Sequence, residues 1–198
     1  MAKDEEKTRE WILERTTERF LSEGFSRFTM DEIARDAGVS KKTLYRLIPS
    51  KNTLIMMVLD RQISIIEMKH ESILKNPDLD FQARLDASFR IVSEFYSRVQ
   101  KDSIRDMAKF SPDVWEMIRR RRTDVLGGIV RLLEEGRDEG YIRSDIPPSF
   151  LGRYFHSIVD SLLTPRVMMD ENMTPNRLLD ITLSIFYKGI LSTPGEVR

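Results

Sequence analysis

A short basic segment carries the side chains with the clearest chemical potential. No acidic residue occurs from Ala37 to Leu59, although 32% of the chain is charged. The cationic and phenolic side chains of this segment are Lys41, Lys42, Tyr45, Arg46 and Lys51. Such groups, four on one short helix and Lys51 just beyond it, can contact the phosphates and base edges of DNA. The pattern therefore predicts a local nucleic-acid-binding element.

Two short helices joined by a tight turn are predicted to position this segment. Thr29 and Glu32 have the spacing of a capping box at the start of the first helix. Gly38 can adopt the positive φ that a sharp turn requires, and Ser40 is suited to cap the second helix. A basic helix held against another helix in this way has the geometry that enters a major groove.

The second helix is predicted to bury one stripe and expose the rest. Leu44 and Ile48 lie one turn apart and are expected to face inward, whereas Leu47 is expected to face outward. Thr29 and Ser40 begin helices, where free N–H groups suit a phosphate. The candidates for contacts with base edges are Lys42, Thr43 and Arg46. For Leu47, two roles remain open: contact with a thymine methyl group or packing against the chain.

The rest of the chain has helical periodicity throughout, which predicts an all-α fold of about nine helices. Residues 1–51 are expected to form a helix-turn-helix domain and residues 52–198 a second helical domain. A long helix should span Lys51 to Ile73, and another should run from Pro112 to about Glu139, with a close crossing or bend at Gly127–Gly128. Two further helices are expected at Ser149–Thr164, ended by Pro165, and from Thr174–Pro175 to about Lys188, stopped by Gly189.

Composition excludes several classes of protein. The 32 basic residues balance the 32 acidic ones, so DNA contact should be local rather than spread over the surface. The absence of cysteine excludes disulfides and thiolate sites, and with only His70 and His156 no metal or other cofactor is expected. The charged N-terminus has no signal-like core, and the apolar run Leu54–Leu59 is too short to span a bilayer. A cytoplasmic protein without membrane contact is expected.

Two other features have chemical alternatives. His156 and Asp160 lie one helical turn apart and could polarise an imidazole for acid–base work, but a histidine satisfied in the interior or at an interface is favoured, with a ligand hydrogen bond second. The run Arg119–Arg122 could form a nucleic-acid patch. Consecutive residues fan around a helix, so a solvated face paired with nearby acids is favoured.

The segment from Thr29 to Leu54 resembles the DNA-binding domain of the tetracycline-repressor (TetR) family. The matching residues are Thr29, Ile33, Ala34, Ala37, Gly38, Val39, Ser40, Lys41, Thr43, Leu44, Tyr45, Ile48, Lys51 and Leu54. Three positions depart from the family pattern: Ile48 stands where Phe is commonest, Lys42 where Gly is common and Leu47 where a polar residue is common. The last two change the surface that the helix presents to DNA.

The resemblance implies a homodimeric transcriptional regulator, usually a repressor, that binds a palindromic double-stranded DNA operator. It implies that Lys41, Tyr45 and Lys51 touch the DNA backbone. It also implies that a small-molecule effector binds among the C-terminal helices and releases the operator. By the same analogy, residues 149–164 and 174–188 are the dimer helices.

The C-terminal domain is rich in aromatic residues and Met, which suits a mostly hydrophobic effector. The candidate effector-binding residues are Phe89, Tyr96, Phe110, Trp115, His156 and Asp160. Two alternatives to the effector-controlled repressor remain. One is a helix-turn-helix regulator that is constitutive or controlled by a protein partner, and the other is an α-helical enzyme using His156 and Asp160.

Overall fold

The computed structural model describes residues 2–98, 103, 105–106, 109–162 and 164–191. Within these ranges the fold is all-α, as the periodicity predicted, and the described β-type pairing is one isolated antiparallel bridge between Ile142 and Leu191. A 3₁₀ turn at Phe25–Arg27 follows the first helix. The described α-helices are α1 Ala2–Glu23, α2 Met30–Asp36, α3 Lys41–Leu47, α4 Lys51–Leu74, α5 Phe81–Ser97, α6 Pro112–Asp138, α7 Pro148–Leu162, α8 Pro165–Asp170 and α9 Pro175–Ile190.

The chain folds into two compact units. The first unit comprises Met1–Ile63 and Arg98–Ile118, and the second comprises Ser64–Ser97 and Arg119–Arg198. Both α4 and α6 therefore contribute residues to each unit.

The core of the first unit is built on one stripe of α1. This stripe is buried along its length and consists of Ile12, Leu13, Thr16, Thr17, Phe20 and Leu21. The two threonine hydroxyls are satisfied locally, because each donates to the carbonyl oxygen four residues earlier. The ring of Phe20 stacks on that of Phe25 at 4.1 Å, which closes the stripe at its C-terminal end. Gly24, with φ of 81°, ends α1.

The second unit is organised around contacts of α9 with α5 and α7. Its aromatic core contains Phe89, Phe155 and Phe186. The ring centroid of Phe155 lies 5.5 Å from that of Phe89 and 4.8 Å from that of Phe186. In α6, Gly128 allows a close approach: a Cβ there would lie 2.9 Å from Leu74 and 3.2 Å from His70. The predicted close crossing at Gly127–Gly128 is thus confirmed at Gly128.

Two expectations about the last helices are wrong. Pro165 does not simply end a helix, because it opens the short α8, which Thr164 caps by accepting from the Val167 amide. Gly189 does not stop α9, which continues to Ile190. A glycine lowers helix propensity but does not end a helix when the surrounding residues pack, and Phe186 and Ile190 are both buried. The sequence of Ser103 to Phe110 predicts a further short helix, and this segment lies partly outside the described residues.

Candidate nucleic-acid interface

The helix-turn-helix is built by the local interactions that its sequence predicts. At the start of α2, the Thr29 amide donates to the Glu32 carboxylate at 2.7 Å and the Glu32 amide donates to Thr29 Oγ1 at 3.3 Å. The hydrogen bonds from the Thr29 amide and hydroxyl hold the pKa of Glu32 below its ordinary value. Gly38 turns the chain with φ of 67°. Ser40 caps α3 by accepting from the Thr43 amide at 3.0 Å.

A side chain of α1 forms a hydrogen bond to the turn between α2 and α3. Trp11 Nε1 donates to the carbonyl oxygen of Ala37 at 3.0 Å. Ala37 is the C-cap residue of α2, so this bond fixes the point at which the chain leaves α2. The relative orientation of α2 and α3 is therefore held by caps, by the turn and by α1.

The inner face of α3 confirms one prediction and corrects another. Leu44 and Ile48 are fully buried, as the one-turn spacing predicted. The outward placement of Leu47 is wrong, because its side chain is also buried and only 9% exposed. Leu47 lies in the last turn of α3, where the chain leaves the helix before Pro49 and the short helix can bury two adjacent positions. Of the two roles left open for Leu47, packing against the chain fits the structure.

The outer face of α3 is basic and accessible. Lys41, Lys42, Tyr45 and Arg46 are all exposed, and the Tyr45 ring is 46% accessible although it is a large aromatic group. Thr43 is partly exposed, and its hydroxyl shares a 2.8 Å hydrogen bond with Ser40. An exposed phenol beside several cations is the arrangement that suits contact with a phosphate backbone.

Two cations of this face are paired with acids from other helices. Lys41 Nζ lies 2.5 Å from a carboxylate oxygen of Asp31 in α2. Arg46 Nη1 forms an ion pair with Glu5 in the first turn of α1. Because α3 contains no acid, these partners come from outside it. Lys42 is exposed and has no ion pair or hydrogen bond among the described residues.

Lys51 has an intramolecular role as well as a predicted role toward DNA. Its Nζ donates to the carbonyl oxygen of Phe28 at 2.6 Å and lies 5.2 Å from the centre of the Phe28 ring. Partial burial lowers the pKa of Lys51, although the charges of Asp106 and Glu32 act in the opposite direction. Lys51 therefore joins the start of α4 to the residues that precede α2.

The His156–Asp160 pair is a satisfied pair within the second unit. His156 Nδ1 lies 3.3 Å from Asp160, and its Nε2 shares a hydrogen bond with the Thr123 hydroxyl at 3.2 Å. Both ring nitrogens are thus engaged by side chains. In the arginine run, Arg121 contacts α4, with 2.6 Å to the Ser64 hydroxyl and 3.0 Å to Glu67.

The predicted effector-binding residues fall in both units. Phe110 packs near Phe25 and Trp115, with ring centroids 6.1 and 6.0 Å away, and all three residues belong to the first unit. Phe89, His156 and Asp160 belong to the second unit. The side chain of Tyr96 lies outside the described residues. The described ring contacts thus place Phe110 and Trp115 in the first unit, not with the other candidates in the second unit.

Several side-chain polar atoms of the second unit are buried without a hydrogen bond among the described residues, and two of them belong to residues that are themselves buried. These two are His70 Nε2, in a residue 3% exposed, and Ser88 Oγ, in a residue fully buried. Burial, together with the charge of Arg131, lowers the pKa of His70. In the sequence, His70 and Ser88 are marked only as polar residues within apolar helical stripes, and this pattern is too common to predict a buried polar group without a partner.

Comparison with known proteins shows which family the N-terminal part of the chain matches. A family model described as bacterial regulatory proteins of the tetR family matches residues 12–56, which run from the middle of α1 into the first turns of α4. YvaF of Bacillus subtilis (strain 168), a helix-turn-helix transcriptional regulator, is 24% identical over 179 residues, which are 90% of this chain and 93% of that protein. Residues 12–56 thus match the TetR family of bacterial regulatory proteins, and the chain as a whole is similar to a helix-turn-helix transcriptional regulator.

Solved TetR-like structures share the fold over nearly the whole chain. A transcriptional regulator from Saccharomonospora viridis, solved in complex with choline, has a TM-score of 0.71 at 16% identity and covers 95% of this chain and 100% of its own. SmeT, the repressor of the Stenotrophomonas maltophilia multidrug efflux pump SmeDEF, has a TM-score of 0.64 at 19% identity, covering 96% of this chain and 95% of its own. At such identities the likeness shows the fold.

Two further findings concern sites of other kinds. No group of His, Asp and Glu suited to hold a metal ion occurs among the residues that the structure describes. None of the described helices is long and apolar enough to cross a membrane.

Proposed function

We propose that this protein is a homodimeric TetR-family repressor that binds a palindromic operator and is released by a small, mostly hydrophobic effector. The observation that carries the proposal is the exposed basic face of α3, which is held by two helix caps and a glycine turn. In the proposal, residues 1–51 form the DNA-binding domain, and residues 52–198 bind the effector and dimerise.

The proposed DNA contacts are of two kinds: contacts with the phosphate backbone, which position the helix, and contacts with base edges, which read the sequence. We assign backbone positioning to Lys41, Tyr45 and the helix starts at Thr29 and Ser40. We assign base reading to Lys42, Thr43 and Arg46. Lys51 donates one of its three N–H groups to the Phe28 carbonyl oxygen, which leaves two for a phosphate. Its proposed role is therefore both structural and toward DNA.

Dimerisation is assigned to the segments 149–164 and 174–188, which correspond to α7 and α9. These helices expose large apolar side chains that a monomer would leave in water: Phe150 at 58%, Tyr154 at 43%, Leu162 at 37% and Ile185 at 63%. Phe150 and Tyr154 stack at 5.9 Å, so part of this surface is already ordered. Exposed large apolar side chains of this kind favour an interface.

Effector binding is assigned to the second unit on the basis of its unsatisfied polar groups. Leaving His70 Nε2 and Ser88 Oγ buried without partners costs free energy, which a ligand that supplies hydrogen bonds would recover. A lowered pKa keeps His70 neutral near pH 7, so its imidazole can donate or accept. An apolar molecule with one or two polar groups fits this environment, which is the usual balance of a small-molecule site.

Two proteins of the same fold support different parts of the proposal. The Saccharomonospora viridis regulator was solved with choline, a small molecule, and SmeT is a repressor of an efflux pump. Incubation of the protein with choline, long-chain fatty acids and planar aromatic compounds in a thermal-shift assay tests effector binding, since a ligand that binds the folded state raises the melting temperature. A hit should also release DNA, and a melting temperature unchanged across such compounds would favour the constitutive regulator.

Selection from random duplex DNA tests the operator. A two-fold symmetric dimer predicts an inverted repeat with half-sites about one helical turn apart, about 10 base pairs. Enrichment of a symmetric motif supports the proposal. Failure to enrich any sequence over the starting pool contradicts it.

A further inference from the structure

We propose that Glu5 is a positioning residue that sets the specificity of DNA reading by Arg46. It binds one side of the guanidinium and leaves the other edge for a guanine. The inference rests on the proposed function, in which Arg46 contacts a base edge.

Glu5 and Arg46 are in direct contact. Glu5 lies in the first turn of α1 and Arg46 in the last turn of α3, 41 residues later in the chain. Glu5 Oε1 pairs with Arg46 Nη1. Both side chains remain accessible, at 54% for Arg46 and 37% for Glu5, so the pair lies at the surface that would face DNA. A loosely held surface pair of this kind can be rearranged by a ligand at small cost.

The donor geometry of arginine allows a second partner. A guanidinium has five N–H donors in a planar fork. Glu5 engages Nη1, and no hydrogen bond engages Nε or Nη2 among the described residues. The Nε–Nη2 edge presents two parallel N–H groups, which match the O6 and N7 acceptors of guanine in the major groove. Glu5 can therefore stay in place while Arg46 reads a guanine.

The charge of Glu5 affects contacts with phosphate and with guanine differently. Contact with any phosphate depends on net positive charge, whereas contact with guanine depends on the direction of two hydrogen bonds. The carboxylate of Glu5 offsets the charge of Arg46 but leaves its free edge aligned. It therefore weakens binding to arbitrary DNA more than binding to DNA with guanine at the matched position.

The neighbouring acid Glu6 provides a matched control. Its carboxylate pairs with Arg9 within α1, at 3.0 Å, and not with α3. Glu5→Gln and Glu6→Gln thus remove the same charge from adjacent positions, but only the first alters the partner of Arg46.

The experiment measures affinity by fluorescence anisotropy at several salt concentrations. The duplexes are the motif enriched from random DNA by the unmodified protein and a scrambled duplex of equal composition. For Glu5→Gln we expect about two- to fivefold tighter binding to the scrambled duplex and a salt slope steeper by about 0.9 per protomer. The preference for the enriched motif should fall, and Glu5→Asp should restore it in part. Glu6→Gln should leave the preference unchanged.

A double-mutant cycle decides whether Glu5 acts through Arg46. In an Arg46→Ala background, Glu5→Gln should no longer change the ratio of affinities for the two duplexes. The inference is overturned if Glu5→Gln changes both affinities equally, if it matches Glu6→Gln, or if its effect persists without Arg46. If Arg46→Ala itself leaves base preference unchanged, the proposed base reading by Arg46 fails first, and the inference fails with it.

Discussion

The carboxylate of Asp106 accepts two hydrogen bonds from Ser26, one from the backbone amide at 2.5 Å and one from the hydroxyl. The two residues are 80 positions apart, and Asp106 is only 7% exposed. Close by in the chain, the Ser103 hydroxyl donates to the carbonyl oxygen of Phe20 at 2.7 Å. The described residues of 103–106 are thus bonded to the end of α1 and to the 3₁₀ turn within the first unit.

The Asp106 contact predicts a pH-dependent contribution to stability. Burial, the largest single influence, raises the pKa of Asp106, but the bonds from Ser26 and the proximity of Lys109 outweigh it, so the pKa lies below its ordinary value. A lowered folded-state pKa stabilises the protein above the unfolded value of about 3.9, and this stabilisation is lost as the pH falls through the folded value. Asp106→Asn should therefore lower the free energy of unfolding at pH 7 by roughly 2 kcal/mol.

Chemical denaturation at pH 7 and at pH 3 checks this prediction. The difference between Asp106→Asn and the unmodified protein should shrink at the lower pH, because protonation begins to remove the same charge. Asp78→Asn, in an exposed loop between α4 and α5, is the control and should unfold like the unmodified protein at both pH values. An equal loss for Asp106→Asn at both pH values would contradict the role of the charge.

Two glycines of α6 should respond in opposite ways to alanine. A Cβ at Gly136 would lie 2.1 Å from the ring of Phe81, which is buried and stacked on Tyr141 at 5.1 Å. Gly136→Ala should destabilise the protein by roughly 1–3 kcal/mol through overpacking. Gly127 has open space, its nearest neighbour being an Arg131 nitrogen at 3.9 Å, so Gly127→Ala should stabilise by up to about 1 kcal/mol. Thermal unfolding of both variants measures this, and a similar shift in both would refute the packing argument.

The proposed dimer surface can be tested with two residues of equal exposure. Ile185 in α9 and Met68 in α4 are each 63% exposed. A charge buried in an apolar interface is costly, so Ile185→Asp should convert the dimer to monomer at micromolar concentration, whereas Met68→Asp should not. Sedimentation velocity distinguishes the two species. Dimers that persist in Ile185→Asp would place the interface elsewhere.

The parts of the fold that depend on local chemistry were predictable from the sequence. The Thr29–Glu32 capping box, the Gly38 turn and the Ser40 cap each involve residues within a few positions of one another, and each was confirmed. The errors arose where packing outweighs local preference. Leu47 is buried on a face predicted to be exposed, and α9 continues through Gly189 because its neighbours pack.

Long-range contacts were beyond sequence reasoning. The pairing of Arg46 with Glu5 and that of Ser26 with Asp106 join residues 41 and 80 positions apart, and no periodicity signals them. The same holds for Lys51, whose bond to Phe28 depends on how α4 meets the residues before α2. The basic face was thus predictable as a set of residue types, whereas the partners that occupy its cations were not.

The salt dependence of DNA binding by Lys42→Ala tests the central claim most directly, because Lys42 is exposed on α3 and has no described partner to lose. Although Lys42 is assigned to a base edge, its charge also offsets that of nearby phosphates, so its loss should reduce the slope of log affinity against log salt by up to about 0.9 per protomer. Lys69→Ala, an exposed lysine of α4 in the second unit, is the control. We expect weaker binding and a shallower slope for Lys42→Ala, with Lys69→Ala unchanged. Identical affinities and slopes for the two variants and the unmodified protein would contradict the assignment of α3 as the DNA-reading helix.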